Sequence, residues 1–283
     1  MQSKIELNKI RNLDEIVSDT IIFFKQNFKP LLKAYFTICG AFLIAGLILA
    51  VINFFEMRVH MEEGTSIFTT TYFLSLLFGL INYTATILTT LSFITIYREK
   101  GNEAPTVEEV WSYFKFYFLK ALWAIIAIVV ISSIGSVFCL LPGIYLFTVL
   151  GLILPIIVVE NTTFNYAISR SFQIIKKSWW RVFGSMLIIS VVVLAAYTVL
   201  AIPVMLVAEI YALVTGISLT TFYLMPLAVV SSAAQFLYIL PIIALALSYF
   251  SLTEQQDGTS LLNRIETFGV TDRNAGDNTT EEY

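Results

Sequence analysis

Apolar residues in this chain come in runs too long to be one face of a soluble helix. Six stretches, Leu31–Phe55, Ile67–Tyr97, Ala121–Leu141, Gly143–Glu160, Val182–Ala208 and Thr221–Phe250, are dominated by Leu, Ile, Val, Phe and Ala. A helix needs about 20 residues at about 1.5 Å rise each to cross a hydrocarbon core, so each run predicts a transmembrane helix. The second and sixth are long enough to tilt. The fourth is short and carries Pro155. Between the third and fourth, "LLPGIY" (Leu140–Tyr145) breaks an otherwise continuous greasy stretch, and its Pro-Gly pair predicts a tight hairpin.

Polar periodicity returns ahead of spans one, three and five. The segments begin at Asn12 ("NLDEIVSDTIIFFKQNFK"), Thr106 ("TVEEVWSYFKFYF") and Thr163 ("TFNYAISRSFQIIKKSWWR"). Aligning these starts brings Ser18, Ser112 and Ser169 into register, and likewise Phe24, Phe118 and Ile175. Asn12 with Glu15, and Thr106 with Glu109, have the spacing of a capping box. In the third segment Phe164, Ile168, Phe172, Ile175 and Trp179 share one helical face, opposite Arg170, Gln173, Lys177 and Arg181. This pattern predicts helices lying in the membrane interface over residues 12–29, 106–118 and 163–181. Arg170, Lys176, Lys177, Trp179, Trp180 and Arg181 are the expected interfacial anchor, with cations toward anionic headgroups and indoles at headgroup depth.

The predicted fold class is therefore all-α. It is a polytopic membrane protein with six transmembrane helices and amphipathic interfacial helices before spans one, three and five, built as three consecutive units. Residues 1–253 form the membrane domain and 254–283 an acidic tail. Composition agrees: 58% of residues are hydrophobic, 13% are charged, and the mean hydropathy is +0.81. Soluble proteins carry about 25% charged residues.

Charge sets the expected orientation. Of 17 Lys and Arg residues, all except Arg58 fall before Ala34, between spans two and three, between spans four and five, or after span six. The positive-inside rule puts those segments, and both termini, in the cytoplasm. The long polar start, "MQSKIELNKIRNLDEIVSDT", is unlike a secretory signal, so the first span is expected to be an uncleaved anchor. The outer segments are short, leaving little to bind a large external ligand. Cys39 and Cys139 lie inside apolar runs and read as buried small residues rather than a disulfide.

Candidate chemistry is sparse. His60 is the only histidine, and it falls in the expected outer loop "EMRVHMEEG". No ionisable residue occupies the middle of a span, which argues against a proton-coupled carrier. Glu160, at the end of span four, is a candidate elbow carboxylate, placed to favour the positive end of the next helix or to pair with Arg170 or Lys176. In span two, Thr71, Ser75, Gly79, Asn82, Thr86 and Thr90 form one polar stripe. It reads as a helix-packing seam with hydroxyls bonding across the contact, or as the lining of a polar path. Small residues cluster at Ala41/Ala45, Ser132/Ser136 and Ser231–Ala234, and Pro203, Pro226 and Pro241 interrupt the last two spans. No catalytic constellation, cofactor loop or metal-ligand cluster is recognisable, and no nucleic-acid partner is expected.

From Glu254 onward the chain carries seven acids against two arginines, Arg264 and Arg273. "GTSLLNRIETFG" puts Leu261, Leu262, Ile265 and Phe268 on one face of a short helix, and a polar end follows. An acidic tail is repelled by anionic lipid and left free to meet a protein partner.

The run "LPGIYLFTVLGLILPIIVVENTTFNYAISRSFQIIKKSWWRVFG" (Leu141–Gly184) resembles a group of bacterial polytopic membrane proteins. That group includes the membrane domain fused ahead of some glycerophosphoryl diester phosphodiesterases. The similar features are Pro-Gly-Ile-Tyr, a span ending in Pro155 and Glu160, then Ala167, Arg170-Ser171 and Trp179-Trp180. The resemblance implies a six-span protein of the bacterial inner membrane and assigns it no reaction. No counterpart of the phosphodiesterase catalytic domain is expected, so that activity is not carried over. Two functions remain as expectations. One is a non-enzymatic membrane scaffold or accessory subunit, organising a cytoplasmic partner through the tail. The alternative is a protein that binds or transports a lipid or small amphiphile.

Overall fold

The computed structural model describes residues 4–138, 140–215, 226–227 and 229–258. The expected tail helix and its two arginines, Cys139, the side chain of Arg58 and the segment around 216–225 lie outside the described residues. Those described are helical apart from short connections. The helices are α1 (Leu13–Gln26), α2 (Phe28–Glu63), α3 (Thr70–Glu99), α4 (Val107–Phe138), α5 (Leu140–Gly151), α6 (Ile153–Val159), α7 (Phe164–Ile175) and α8 (Trp179–Thr215). A 3-10 turn, Ala234–Tyr238, then leads into α9 (Ile239–Asp257). Six helical stretches are long and apolar enough to cross a membrane: Phe28–Met57, Thr70–Glu99, Val107–Val137, Leu141–Val159, Trp179–Thr215 and Val229–Asp257. By that measure the chain is a multi-pass membrane protein.

The helix starts follow the sequence signals. Glu15 Oε2 accepts from the Asn12 backbone N–H at 2.8 Å, and Glu109 Oε2 accepts from Thr106 N–H at 2.8 Å. Thr106 returns the contact, its hydroxyl accepting from Glu109 N–H at 3.3 Å. Each bond satisfies a backbone donor that a helix N-terminus leaves open. Asn27 separates α1 from α2, and Pro30 sits in the first turn of α2, where its missing N–H is harmless.

Three boundaries differ from the sequence reading. First, α2 continues to Glu63, so His60 lies in its last turn rather than in a loop, with Nδ1 hydrogen-bonded to the Thr65 hydroxyl. No Gly or Pro lies between Gly46 and Gly64, and Gly64 ends the helix by taking the left-handed conformation at φ 67°. Second, α4 is one unbroken helix from Val107 to Phe138, without an elbow between an interfacial part and a span. Neither Gly nor Pro occurs between Val107 and Ile134 to interrupt it. Third, the expected Pro-Gly turn is displaced. Pro142 and Gly143 lie in the first turns of α5, which packs back along α4.

That reversal is tight. A Cβ on Gly143 would come within 2.9 Å of Ser136 Cα, and one on Gly135 within 2.7 Å of a Leu146 methyl. Only a residue without a side chain fits at Gly143. Pro155 explains the next break: lacking an N–H, it cannot bond the carbonyl of Gly151, and α5 gives way to α6 at Leu152. Pro241 acts in the same way at the start of α9, just after the 3-10 turn.

The middle of the bundle is α3. Every residue from Thr84 to Tyr97 is buried, and α2, α4, α6 and α9 all pack on this helix. The N-terminal segment is also internal, with Ile5 and Leu7 buried in the same core and α1 lying against α8 and α9.

Candidate functional site

The residues singled out from sequence fall into two places. The polar stripe runs along α3 toward α2: Thr71 and Ser75 are half-buried, Gly79 is exposed, and Asn82, Thr86 and Thr90 are buried. Hydroxyls along this helix bond to its own backbone carbonyls. Thr86 donates to Asn82 O at 3.0 Å, Thr90 to Thr86 O at 2.9 Å and Thr95 to Leu91 O at 2.8 Å. A hydroxyl in an apolar core is satisfied most readily by the carbonyl four residues back on its own helix. One cross-helix contact does form, Cys39 Sγ to Thr89 Oγ1 at 3.4 Å.

The second place is the end of the bundle where α3, α6, α7, α8 and α9 meet. Glu160 Oε1 accepts from the Tyr249 hydroxyl at 2.8 Å and lies 3.9 Å from Arg170 Nε. Arg170 also pairs with Asp257 and reaches Gln256 Oε1 at 3.4 Å. Arg181 donates to Arg11 O at 2.9 Å, Ser178 Oγ at 2.7 Å and Gln255 Oε1 at 2.9 Å. Arg98 covers the Phe250 ring at 5.3 Å. So the two arginines expected at headgroups are engaged with the last turn of α9 instead.

Lys176 and Lys177 are exposed, as is Trp180, whereas Trp179 is half-buried and stacks on Phe183 with centroids 4.9 Å apart. The buried face of α7 is Ala167, Ser171, Ile174 and Ile175, packed on protein. Of the face expected to enter lipid, Phe172 is exposed, while Phe164 and Ile168 lean on the core.

A cavity lies elsewhere and measures about 540 Å³. One wall is the α4–α5 hairpin, through Ile128, Ser132, Ser136, Gly143, Phe147 and Gly151. The facing wall is α8 and α9, through Phe183, Met186, Leu187, Ile242 and Leu245. Tyr83 and Ile87 of α3 and Leu154 of α6 complete it. All of these residues belong to the membrane-crossing stretches. Val129, Phe147 and Leu187 line the space while remaining exposed, as do the hydroxyl-bearing Tyr83, Ser136, Ser190 and Tyr238, so it opens on the outer surface of the apolar helices.

Among the described residues its polar content is confined to hydroxyls, from Tyr83, Ser132, Ser136, Thr148, Ser190 and Tyr238, with no charged side chain in the lining. Ser136 donates to Ser132 O at 2.8 Å and Thr148 to Ile144 O at 3.0 Å. Ser132 Oγ is buried without a hydrogen-bond partner.

Sequence reasoning singled out only part of this lining: Ser132 and Ser136 as a small-residue cluster, the Pro-Gly pair as a turn, and Pro241 as a kink. The stripe residues Thr71, Ser75, Asn82, Thr86 and Thr90 contribute nothing to it. Two lining positions, Gly143 and Gly151, are glycines eight residues apart on α5. Among the described residues no group of His, Cys, Asp and Glu is placed to hold a metal ion. No family model matches the chain, and neither a curated protein nor a solved structure does.

Proposed function

We propose that this protein binds a lipid or small amphiphile within the membrane, in the cavity between the α4–α5 hairpin and α8–α9. The observation that carries this reading is a space of about 540 Å³, apolar apart from a few hydroxyls and open on the outer surface of the apolar helices. That volume falls in the range of about 300–1,000 Å³ typical of small-molecule sites. An apolar cavity left bare would forfeit the dispersion contacts of its whole lining. In a bilayer the molecules at hand to restore them are lipids. The function is taken to be non-enzymatic, because among the described residues no nucleophile with an adjacent base lines the space.

In this reading the bundle end that gathers Arg11, Arg98, Arg170 and Arg181 faces the cytoplasm, with both termini on that side, following the positive-inside rule. The membrane is the bacterial inner membrane, as the resemblance over Leu141–Gly184 implies, and α1 and α7 lie at its interface with Lys176, Lys177 and Trp180 outermost. One observation favours a second reading, a scaffold. Arg170 and Arg181 hold Asp257, Gln256 and Gln255, so the end of α9 that precedes the acidic tail is fixed on the bundle.

The test compares the wild type with Gly151→Leu, each purified in native nanodiscs, by mass spectrometry of retained lipid. A Cβ at Gly151 meets only the Leu245 methyls at 3.7 Å, so a larger side chain there enters the cavity. The expected result is one lipid enriched over the bulk membrane in the wild type and lost in the variant. Bulk lipid composition in both would overturn the reading. A stoichiometric co-purifying protein, lost on removal of residues 258–283, would favour the scaffold instead.

A further inference from the structure

The cavity's chemistry narrows what it takes, given the reading that it binds an amphiphile at all. We infer that its ligand is an uncharged, single-chain lipid bearing an acceptor oxygen, such as a monoacylglycerol or a long-chain alcohol, with that oxygen bonded to Ser132. Three observations lead there. Among the described residues no Lys, Arg, His, Asp or Glu lines the space, so a phosphate or ammonium head would enter without a counter-charge. Burying an ion that way is heavily penalised. A neutral head faces no such penalty.

The hydroxyls divide by what they still offer. Ser136 and Thr148 spend their protons on carbonyls of their own helices, at 2.8 and 3.0 Å. Ser132 is different: its carbonyl accepts from Ser136, but its own Oγ is buried and has no hydrogen-bond partner. Tyr83, Ser190 and Tyr238 also bring hydroxyls to the lining, but Ser132 is the one whose buried proton has no acceptor, and a turn about its Cα–Cβ bond would present it to a ligand ester, carbonyl or hydroxyl oxygen. A buried polar group left unpaired is costly, which makes this a specificity contact as well as an affinity contact.

The remainder of the lining calls for a chain. Ile128, Phe147, Met186, Leu187 and Leu245 present methyl, methylene and ring surface from both walls. Such a surface suits an extended alkyl or isoprenoid tail entering between α5 and α8.

The experiment measures binding of three fluorescent probes of equal chain length to the full protein in nanodiscs: a monoacylglycerol, a lysophosphatidate and a plain alkane. The expected result is saturable binding of the monoacylglycerol, at least about tenfold tighter than either of the others. Ser132→Ala is expected to remove most of its advantage over the alkane, and Ser132→Thr, which keeps the hydroxyl, to restore it. Thermal unfolding of each variant verifies that the bundle is intact. Equal or tighter binding of the lysophosphatidate would overturn this inference and leave amphiphile binding standing. Undiminished preference in Ser132→Ala would overturn the assigned contact. Saturable binding of none of the probes would overturn the inference and the cavity reading together.

Discussion

Arg11 Nε donates to Asp19 Oδ2 at 2.8 Å, and the arginine side chain is completely buried. The rest of the guanidinium is occupied by backbone: Nη1 donates to Leu7 O at 2.8 Å and Lys9 O at 3.2 Å, and Nη2 to Glu6 O. The backbone of Arg11 joins in, its N–H donating to Ser251 Oγ at 2.9 Å and its carbonyl accepting from Arg181 at 2.9 Å. One residue thus ties the N-terminal segment, α1, α8 and α9 together.

Replacing Arg11 by Met leaves three carbonyls and a carboxylate without their donor. The expected loss is about 2–4 kcal/mol, below the full penalty for a broken buried pair because Asp19 keeps some access to water. Equilibrium unfolding in detergent measures it, alongside protease cleavage in residues 4–12. A change within about 0.5 kcal/mol would mean the guanidinium is no more than a surface group.

Acid should loosen the same corner. The Asn12 N–H, and then Lys9, hold the Glu15 carboxyl below its ordinary value of 4.5. A carboxylate whose folded pKa is depressed adds stability that is fully present above its unfolded value and is lost as pH falls through the folded one. Protease protection of α1 is therefore expected to be flat above about pH 5 and to fall below about pH 4.5. Glu15→Gln should abolish that dependence, and an unchanged acid profile would exclude Glu15 as its source.

The hairpin forming one cavity wall depends on Gly143. Gly143→Ala puts a Cβ 2.9 Å from Ser136 Cα, with backbone on the other side of the clash. The expected cost is about 1–3 kcal/mol, read as a lowered Tm. Gly151→Ala, whose Cβ has ordinary contact distances, should leave the Tm unchanged. Equal effects at the two positions would contradict the packing described.

Asn82 separates the stripe from the cavity. It is buried against α2 opposite Gly46, and its Oδ1 has no hydrogen-bond partner. Asn82→Leu is expected to keep monoacylglycerol binding within about twofold, whereas Gly151→Leu abolishes it. Loss of binding in Asn82→Leu with an unchanged Tm would return the stripe to the ligand path.

Local signals were legible in the sequence where they act locally. Asn12 with Glu15 and Thr106 with Glu109 mark two helix starts because a capping box involves only neighbouring residues. The six apolar runs mark candidate spans because hydrocarbon thickness alone sets their length. What depends on distant partners was not legible. Arg170 and Arg181 read as headgroup anchors, since nothing in "SFQIIKKSWWR" reveals that Gln255, Gln256 and Asp257 arrive beside them. The threonines of span two read as a seam bonding across helices, yet a hydroxyl in a buried helix has its own carbonyl within reach. The cavity joins residues from six segments of chain, and periodicity within any single span carries no sign of it.

The most direct test of the central claim is photo-crosslinking with a monoacylglycerol carrying a diazirine in its chain, followed by peptide mapping. Saturable labelling at Phe147, Leu187 and Leu245, competed by unlabelled monoacylglycerol and lost in Gly151→Leu, is the result expected for an occupied cavity. Labelling that spreads over the exposed faces of α2, α4 and α8, and rises with probe without saturating, would contradict it.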